Sequence, residues 1–146
     1  QLGRLFDCLR GKDLLAGTLI IITSDHGEGL GDHSEPTHGM FVYQSTLHVP
    51  LIFKHPSIKP GRSSGLVSLV DIFPTVLEFL SLPLNNKVQG DDLTPVFNGK
   101  KIRDRPLYFE TLAPSLNLGW SPLRGIITSG YKYINAPCFT VQHTMP

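Results

Sequence analysis

The sequence predicts an α/β fold, with a mostly parallel sheet, flanking helices and a small β-rich segment towards its C-terminal end. Residues 18–23, Thr-Leu-Ile-Ile-Ile-Thr, form a continuous β-branched and apolar run. Such a run is typical of a strand that is covered on both faces, as in a parallel sheet. Helical spacing precedes this run, and three strand candidates close the chain. The 14 glycines and 12 prolines of the chain argue against a helical bundle.

Two segments have the apolar spacing of amphipathic helices. In residues 1–10 apolar side chains recur every three or four positions, and Gly11 provides a stop signal. The second helix is predicted to begin at Asp71, a residue type that often caps a helix N-terminus. Pro74 is tolerated in its first turn, where N–H groups have no intrahelical partner. Its apolar face consists of Ile72, Phe73, Val76, Leu77 and Leu80.

The other strands are predicted from shorter apolar and aromatic runs. After the strand at residues 18–23, these candidates are 48–54, 106–111, 123–129 and 131–135. Glycine, proline and polar residues mark the predicted loops, which are 24–39, 56–64 and 81–104. No linker composition separates the late strands from the rest of the chain.

Composition limits the classes of partner. The 146 residues carry 13 basic and 12 acidic side chains without a basic stripe, which argues against nucleic-acid binding. The apolar runs are far shorter than the ~20 residues of a membrane-spanning helix, so we expect no transmembrane segment. Charged residues make up 17% of the chain, below the roughly 25% of typical soluble domains. This low fraction indicates that another part of a protein covers some of the surface.

The loop after the first strand carries the residues best suited to chemistry. Its sequence over residues 24–33 is Ser-Asp-His-Gly-Glu-Gly-Leu-Gly-Asp-His. Ligands of open parallel sheets gather beyond the carboxyl ends of the strands, where Asp25 and His26 stand. A carboxylate beside an imidazole suits a divalent metal ion. From spacing alone, a plain surface turn with exposed histidines is an equally good interpretation.

Several motifs in order extend this loop signal along the chain. They are Thr-Ser-Asp-His-Gly-Glu at 23–28, Leu-Gly-Asp-His at 30–33, His-Gly at 38–39, Val-Pro-Leu-Ile at 49–52, Val-Asp-Ile-Phe-Pro-Thr at 70–75, Gly-Trp-Ser-Pro-Leu-Arg at 119–124 and Tyr-Lys-Tyr-Ile at 131–134. In this order the chain resembles the sulfatase family of the alkaline phosphatase superfamily, from residue 1 to about residue 137. The resemblance implies an alkaline-phosphatase-like sandwich, of which residues 1–146 would form the C-terminal portion of the catalytic domain, without its N-terminal half.

The resemblance also implies roles for the loop residues. Asp25 and His26 match two ligands of the single divalent cation that lies under the transferred group. Calcium is the usual ion in the family, and the imidazole of His26 also admits manganese or zinc. His38 stands where the family often has a lysine that contacts the ester oxygens. This match implies that His38 takes part in catalysis and substrate binding. A histidine that only supports the loop or lies on the surface remains the alternative. His33 is a weaker substrate-binding candidate that would orient the loop, and Glu28 would tie the loop down.

The family's nucleophile is a Cys or Ser in the pattern C/S-x-P-x-R, the residue that becomes formylglycine. Cys8 and Cys138 both lack that pattern, and the segments that begin at Ser34 and Ser81 have the proline without the arginine. The other metal ligands of the family form an acidic pair near the start of its domain. The acidic pair of this chain, Asp91-Asp92, lies in a late loop and is interpreted as a solvated turn. We therefore expect no nucleophile in this chain and no sulfatase turnover by this chain alone.

These observations favour the C-terminal part of a metal-dependent sulfatase-like hydrolase that cleaves sulfate esters. A phosphodiester or phosphonate monoester hydrolase, or a phosphoethanolamine-type transferase of the same superfamily, is the alternative enzyme. A non-catalytic truncated fragment is the alternative from another class. The expected partners are an anionic sulfate or phosphate ester and the missing N-terminal half of the domain. The tail at residues 138–146 departs from the family pattern.

Overall fold

Helices and short strands are interspersed along residues 1–84 and 87–137, the part of the chain that the computed structural model describes. The first half contains α1 (Leu2–Gly11), β1 (Ile20–Thr23), α2 (Gln44–Leu47), β2 (Leu51–Lys54) and α3 (Ile72–Phe79). The second half contains α4 (Thr94–Phe97), β3 (Leu107–Thr111), α5 (Ala113–Leu118), β4 (Leu123–Ile127) and β5 (Lys132–Asn135). Both predicted helices and all five predicted strands are present: α1 is shifted by one residue, and α3 and the strands are shorter than predicted. Cys138 and the tail after it lie outside the described residues.

The strands form two small antiparallel sheets. β1 pairs with β2 in a register that runs from Ile20 opposite Lys54 to Thr23 opposite Leu51. β3, β4 and β5 form the other sheet in that order, which is the predicted C-terminal β-rich segment. The α/β class is confirmed, but every strand pair in the described part of the chain is antiparallel, which corrects the expected parallel pairing. The apolar run of β1 predicts that both faces of the strand are covered by other residues. It does not predict whether the neighbouring strand runs parallel or antiparallel.

The start of α3 differs from the prediction. Asp71 precedes the helix, but its side chain does not cap it. The carboxylate instead completes a capping box with Ser68, whose N–H donates to Asp71 Oδ2 at 2.8 Å. The helix buries Pro74 and Thr75, whereas Phe73 on the predicted apolar face is 59% exposed. Periodicity identifies an apolar face but not what covers it.

Three short helices were not predicted. α4 lies inside the segment 81–104, which the composition predicts to be a loop, and α2 and α5 lie in stretches to which the sequence pattern assigns no element. Helices of four to six residues are too short for a 3.6-residue period to be visible. α4 nevertheless packs into the fold, because the ring of Phe97 lies 5.2 Å from that of Phe53 and 6.4 Å from that of Phe79.

An ionic cluster around the buried Asp71 joins the start of α3 to the second half of the chain. Asp71 is 1% exposed, and its Oδ1 accepts hydrogen bonds from Arg105 and from the N–H of Asp91. Arg105 Nε lies 2.9 Å from Asp91 Oδ2. The predicted solvated turn is only partly correct: the Asp91 side chain is 43% exposed, but its carboxylate pairs with Arg105 and its N–H donates to the buried Asp71. No helix in the described ranges has the length and apolarity to cross a membrane.

Candidate functional site

The first turn after β1 is held by bonds between adjacent residues. Ser24 Oγ donates to the carbonyl oxygen of His26 at 2.7 Å, and the N–H of His26 donates to Asp25 Oδ1 at 3.0 Å. The hydrogen bond from this backbone N–H lowers the pKa of Asp25 below its ordinary value. The Asp25 side chain is 86% exposed. The loop thus presents an ionised carboxylate on the surface.

The ring of His26 is oriented by its own neighbour. Its Nδ1 lies 2.7 Å from the carbonyl oxygen of Gly27. Because a carbonyl oxygen can only accept, Nδ1 donates, and in the neutral ring Nε2 carries the lone pair. That Nε2 lies 3.7 Å from Asp25 Oδ2. One carboxylate oxygen and one imidazole nitrogen therefore lie side by side, both of them donor types that divalent metals accept.

His38 lies against His26. The two rings stack with centroids 3.8 Å apart and an interplanar angle of 26°. His38 Nδ1 lies 3.1 Å and 3.3 Å from the two carboxylate oxygens of Glu28. The predicted role of Glu28 in tying down the loop is confirmed by this pairing. Since the carboxylate holds Nδ1, the half-exposed ring has Nε2 as its remaining polar atom for other partners.

His33 has different partners. Its ring stacks on Tyr43 with a centroid distance of 3.9 Å, and its Nδ1 lies 2.9 Å from Asp32 Oδ1. The hydrogen bond from His33 is the main cause that lowers the pKa of Asp32. These contacts fit the predicted orientation of the loop, while a direct role of His33 in substrate binding stays a prediction.

Two glycines allow the loop to pack against the chain that follows it. The N–H of Gly27 donates to the carbonyl oxygen of Thr46 at 2.8 Å, and a Cβ on Gly27 would lie 2.0 Å from the carbonyl oxygen of Ser45. A Cβ on Gly29 would lie 2.3 Å from the carbonyl oxygen of Glu35. Such distances exclude any side chain larger than hydrogen unless the backbone moves.

Glu35 is a loop residue that the sequence reasoning missed. Its side chain is buried at 2% exposure, and Oε1 accepts hydrogen bonds from the N–H groups of Met40 and Phe41 at 2.9 Å and 3.1 Å. A single glutamate before Pro36 in a polar loop gives no pattern that would distinguish it from a solvated residue. Its carboxylate organises the backbone just after His38.

The structure thus brings Asp25, His26 and His38 together at the end of β1 and places Glu28 beneath His38. Asp25 and His26 supply a carboxylate and an imidazole, which fit part of a divalent metal site. Among the described residues, no group of three or more His, Cys, Asp or Glu side chains is arranged to hold a metal ion. A four-coordinate ion needs further ligands beyond this pair.

Comparisons with known proteins agree with the motifs. The family model for sulfatases matches residues 1–82, more than half of the chain. Arylsulfatase K from Canis lupus familiaris is 41% identical over 97 residues, which are 66% of this chain and 18% of that protein. The chain therefore spans about a fifth of the length of the curated relatives that it matches.

Solved structures show the same fold. The phosphonate monoester hydrolase SpPMH from Silicibacter pomeroyi superposes with a TM-score of 0.77 at 27% identity, over 92% of this chain and 29% of that one. The protein yidJ from Bacteroides fragilis gives 0.75 at 28% identity, over 91% and 29%. The fold is alkaline-phosphatase-like, as the motifs implied. From the matching family model, the ordered loop motifs and the shared fold, we conclude that the chain belongs to the sulfatase family.

Proposed function

We propose that this chain is the C-terminal part of the catalytic domain of a metal-dependent sulfatase-like hydrolase that cleaves sulfate esters. One observation carries the proposal: Asp25 Oδ2 and His26 Nε2 lie 3.7 Å apart at the end of β1, with the ring of His38 stacked on His26. Membership of the sulfatase family supports the reaction class. The activity of the whole protein is part of the proposal, because the chain matches only 18% of the length of its arylsulfatase relative.

In this proposal Asp25 and His26 hold one divalent cation. When bound, the ion would stabilise the charge that develops on the transferred group and help to activate the nucleophile. The lowered pKa of Asp25 keeps its carboxylate ionised in mildly acidic solution. The hydrogen bond from Nδ1 to the carbonyl oxygen of Gly27 leaves His26 Nε2 as the ligand atom. Calcium is the ion expected from the family, and an imidazole ligand also suits manganese or zinc.

His38 acts on the ester. Its Nδ1 is engaged by Glu28, so Nε2 is the atom that would bind an anionic ester oxygen or donate a proton to the leaving oxygen. Glu28 fixes the orientation of that ring, as a carboxylate partner commonly does for a catalytic imidazole. His33, stacked on Tyr43, would keep the far side of the loop in place. The nucleophile and the other metal ligands would come from the rest of the catalytic domain.

A phosphonate monoester hydrolase is the second candidate. The likeness to SpPMH, with a TM-score of 0.77 at 27% identity, favours it. The histidine at position 26 is also compatible with the softer metals of phosphoryl-transfer sites. Sulfate and phosphonate monoesters present similar anionic tetrahedral groups to His38, so the loop itself suits both. Relative kcat/KM values distinguish the two candidates.

The metal part of the proposal is tested by titrating the purified chain with Ca²⁺, Mn²⁺ and Zn²⁺ in separate calorimetry series. We expect weak binding, and an affinity at least about tenfold lower in Asp25→Asn and in His26→Gln, because each removes one of two ligands. His48→Gln is the matched control, since His48 is an exposed histidine outside the loop. Equal affinities in wild type and both loop variants would refute the site. A stoichiometric, stable ion would argue against an inert fragment.

The reaction is tested on the longest natural polypeptide that contains this chain. It is assayed with an aryl sulfate, an aryl phosphonate monoester and an aryl phosphodiester under metal-saturated conditions. A kcat/KM highest for the sulfate supports the first candidate, and one highest for the phosphonate supports the second. We expect His38→Ala to lower kcat by about 10²-fold or more, the usual size of a general acid's contribution. Enzyme-like turnover by the 146-residue chain alone would contradict the proposed source of the nucleophile.

A further inference from the structure

The four residues that follow His38, residues 39–42, are fixed by one side chain of the same loop and by two side chains from the C-terminal sheet. We call them the 39–42 segment. Glu35 Oε1 accepts hydrogen bonds from the N–H groups of Met40 and Phe41. These bonds come from within the loop and hold the middle of the segment. The ends of the segment are held by the C-terminal sheet.

Thr111, the last residue of β3, holds the first end. Its hydroxyl donates a hydrogen bond to the carbonyl oxygen of Gly39, which is 72 positions away in the sequence. The same hydroxyl accepts the N–H of Ala113 at 3.2 Å. Both the proton and a lone pair of this hydroxyl are therefore used, which fixes its direction.

Lys132, the first residue of β5, holds the other end. Its ammonium group donates to the carbonyl oxygen of Val42, which is 90 positions away. Val42 is 3% exposed, and the same ammonium lies 5.1 Å from the centre of the Phe109 ring. The side chain thus points inward, with its charge between a carbonyl oxygen and an aromatic face, an arrangement that cation–π attraction favours. Burial lowers the pKa of Lys132.

We propose that Lys132 and Thr111 are positioning residues for His38, which they act on by fixing both ends of the 39–42 segment. The inference rests on the proposed role of His38. A single peptide bond joins His38 to Gly39, so a displaced segment shifts the imidazole relative to His26 and Glu28. Displacements of about 1 Å at a reacting group can cost about 10²-fold in rate. The Tyr-Lys-Tyr motif at 131–133 thereby gains a function in a site that lies far away in the sequence.

The direct test is NMR spectroscopy of the chain at fixed pH, with isotope-labelled histidine and backbone amides. We expect Lys132→Met to shift the ring resonances of both His26 and His38, because their stacking changes. Amide hydrogen exchange at Met40 and Phe41 should become at least about tenfold faster, as the opened segment loses an anchor. Lys132→Arg retains a cationic donor and should restore both signals. Lys59→Met removes an exposed lysine and is the matched control.

A second pair of variants keeps the test decisive if Lys132→Met does not fold. Thr111→Val removes the hydroxyl and should give the same histidine shifts, whereas Thr111→Ser retains the hydroxyl and should not. A lower melting temperature with unchanged histidine resonances and exchange rates would show a purely structural role and overturn the proposal. The readout needs no catalysis: the histidine shifts would support the positioning role even if the longest natural polypeptide showed no hydrolase activity, a result that would refute the proposed function alone.

Discussion

Replacing Arg105 with methionine removes a guanidinium that contacts two carboxylates. Its Nη2 donates to Asp71 Oδ1, and its Nε lies 2.9 Å from Asp91 Oδ2. The Asp71 side chain is 1% exposed, whereas the Arg105 side chain is 21% exposed. Methionine preserves much of the aliphatic length, so the substitution mainly removes the charge and its hydrogen bonds. The Asp71 carboxylate would then be buried without a cation.

The contacts set the expected size of the effect. Removing one partner of a buried ion pair typically costs about 3–5 kcal/mol, because the other charge remains uncompensated. Asp71 keeps two backbone donors, the N–H groups of Ser68 and Asp91, each at 2.8 Å. Because these two bonds still stabilise the buried carboxylate, we expect a loss at the lower end of that range, about 3 kcal/mol of unfolding free energy. For a chain of this size the melting temperature should fall by about 10 °C.

Urea unfolding followed by circular dichroism measures this loss through the midpoint at an unchanged m-value. Arg124→Met is the matched control, since the Arg124–Glu110 pair is longer, at 3.4 Å, and both side chains are exposed. Surface pairs of that kind contribute less than about 1 kcal/mol. If Arg105→Met destabilises the chain no more than Arg124→Met does, the ionic cluster is not what joins α3 to the second half of the chain.

Two further predictions concern the loop. Gly27→Ala should cost at least about 2 kcal/mol of unfolding free energy, because its Cβ would lie 2.0 Å from the carbonyl oxygen of Ser45. The same urea unfolding measures this loss, and Gly3→Ala in helix α1, which meets no atom within 4 Å, is the control and should be neutral or slightly stabilising. The Asp32 carboxyl should titrate below 3.8 in ¹³C NMR spectra, and His33→Ala should raise its pKa towards that value. Because the pKa of Asp32 is lowered in the folded chain, its stabilising contribution is present above pH 3.8 and is lost as the pH falls through the lowered value. An unchanged Asp32 titration in His33→Ala would contradict the assigned cause.

The parts of the fold that the sequence predicts are those with a local pattern. The spacing of apolar residues in α1 and the β-branched run of β1 are visible in the chain itself. The four residues of α4 contain too little of a helical period to be detected. The antiparallel direction of β1 and β2 depends on which segment lies alongside, and no local pattern carries that information.

The same distinction applies to the site. Asp25, His26 and His38 belong to recognisable motifs close to one another in the sequence, and the structure places them in contact. Lys132 and Thr111 contact the loop from 90 and 72 positions away, so only the folded chain shows what they hold. Residue type and motif identify groups that can perform chemistry, whereas the groups that hold them in place depend on tertiary contacts.

The unpaired edge of β1 also has a consequence for the behaviour of the isolated chain in solution. β1 pairs with β2 along one side, and no other described strand borders its opposite side. Three successive isoleucines and a threonine form this strand, so neither a charge nor a proline blocks the free edge. An unguarded apolar edge is a template for adding another strand, from a neighbouring segment or from a second molecule. Solution experiments on the isolated chain should therefore include a dilution series, which tests for self-association through this edge.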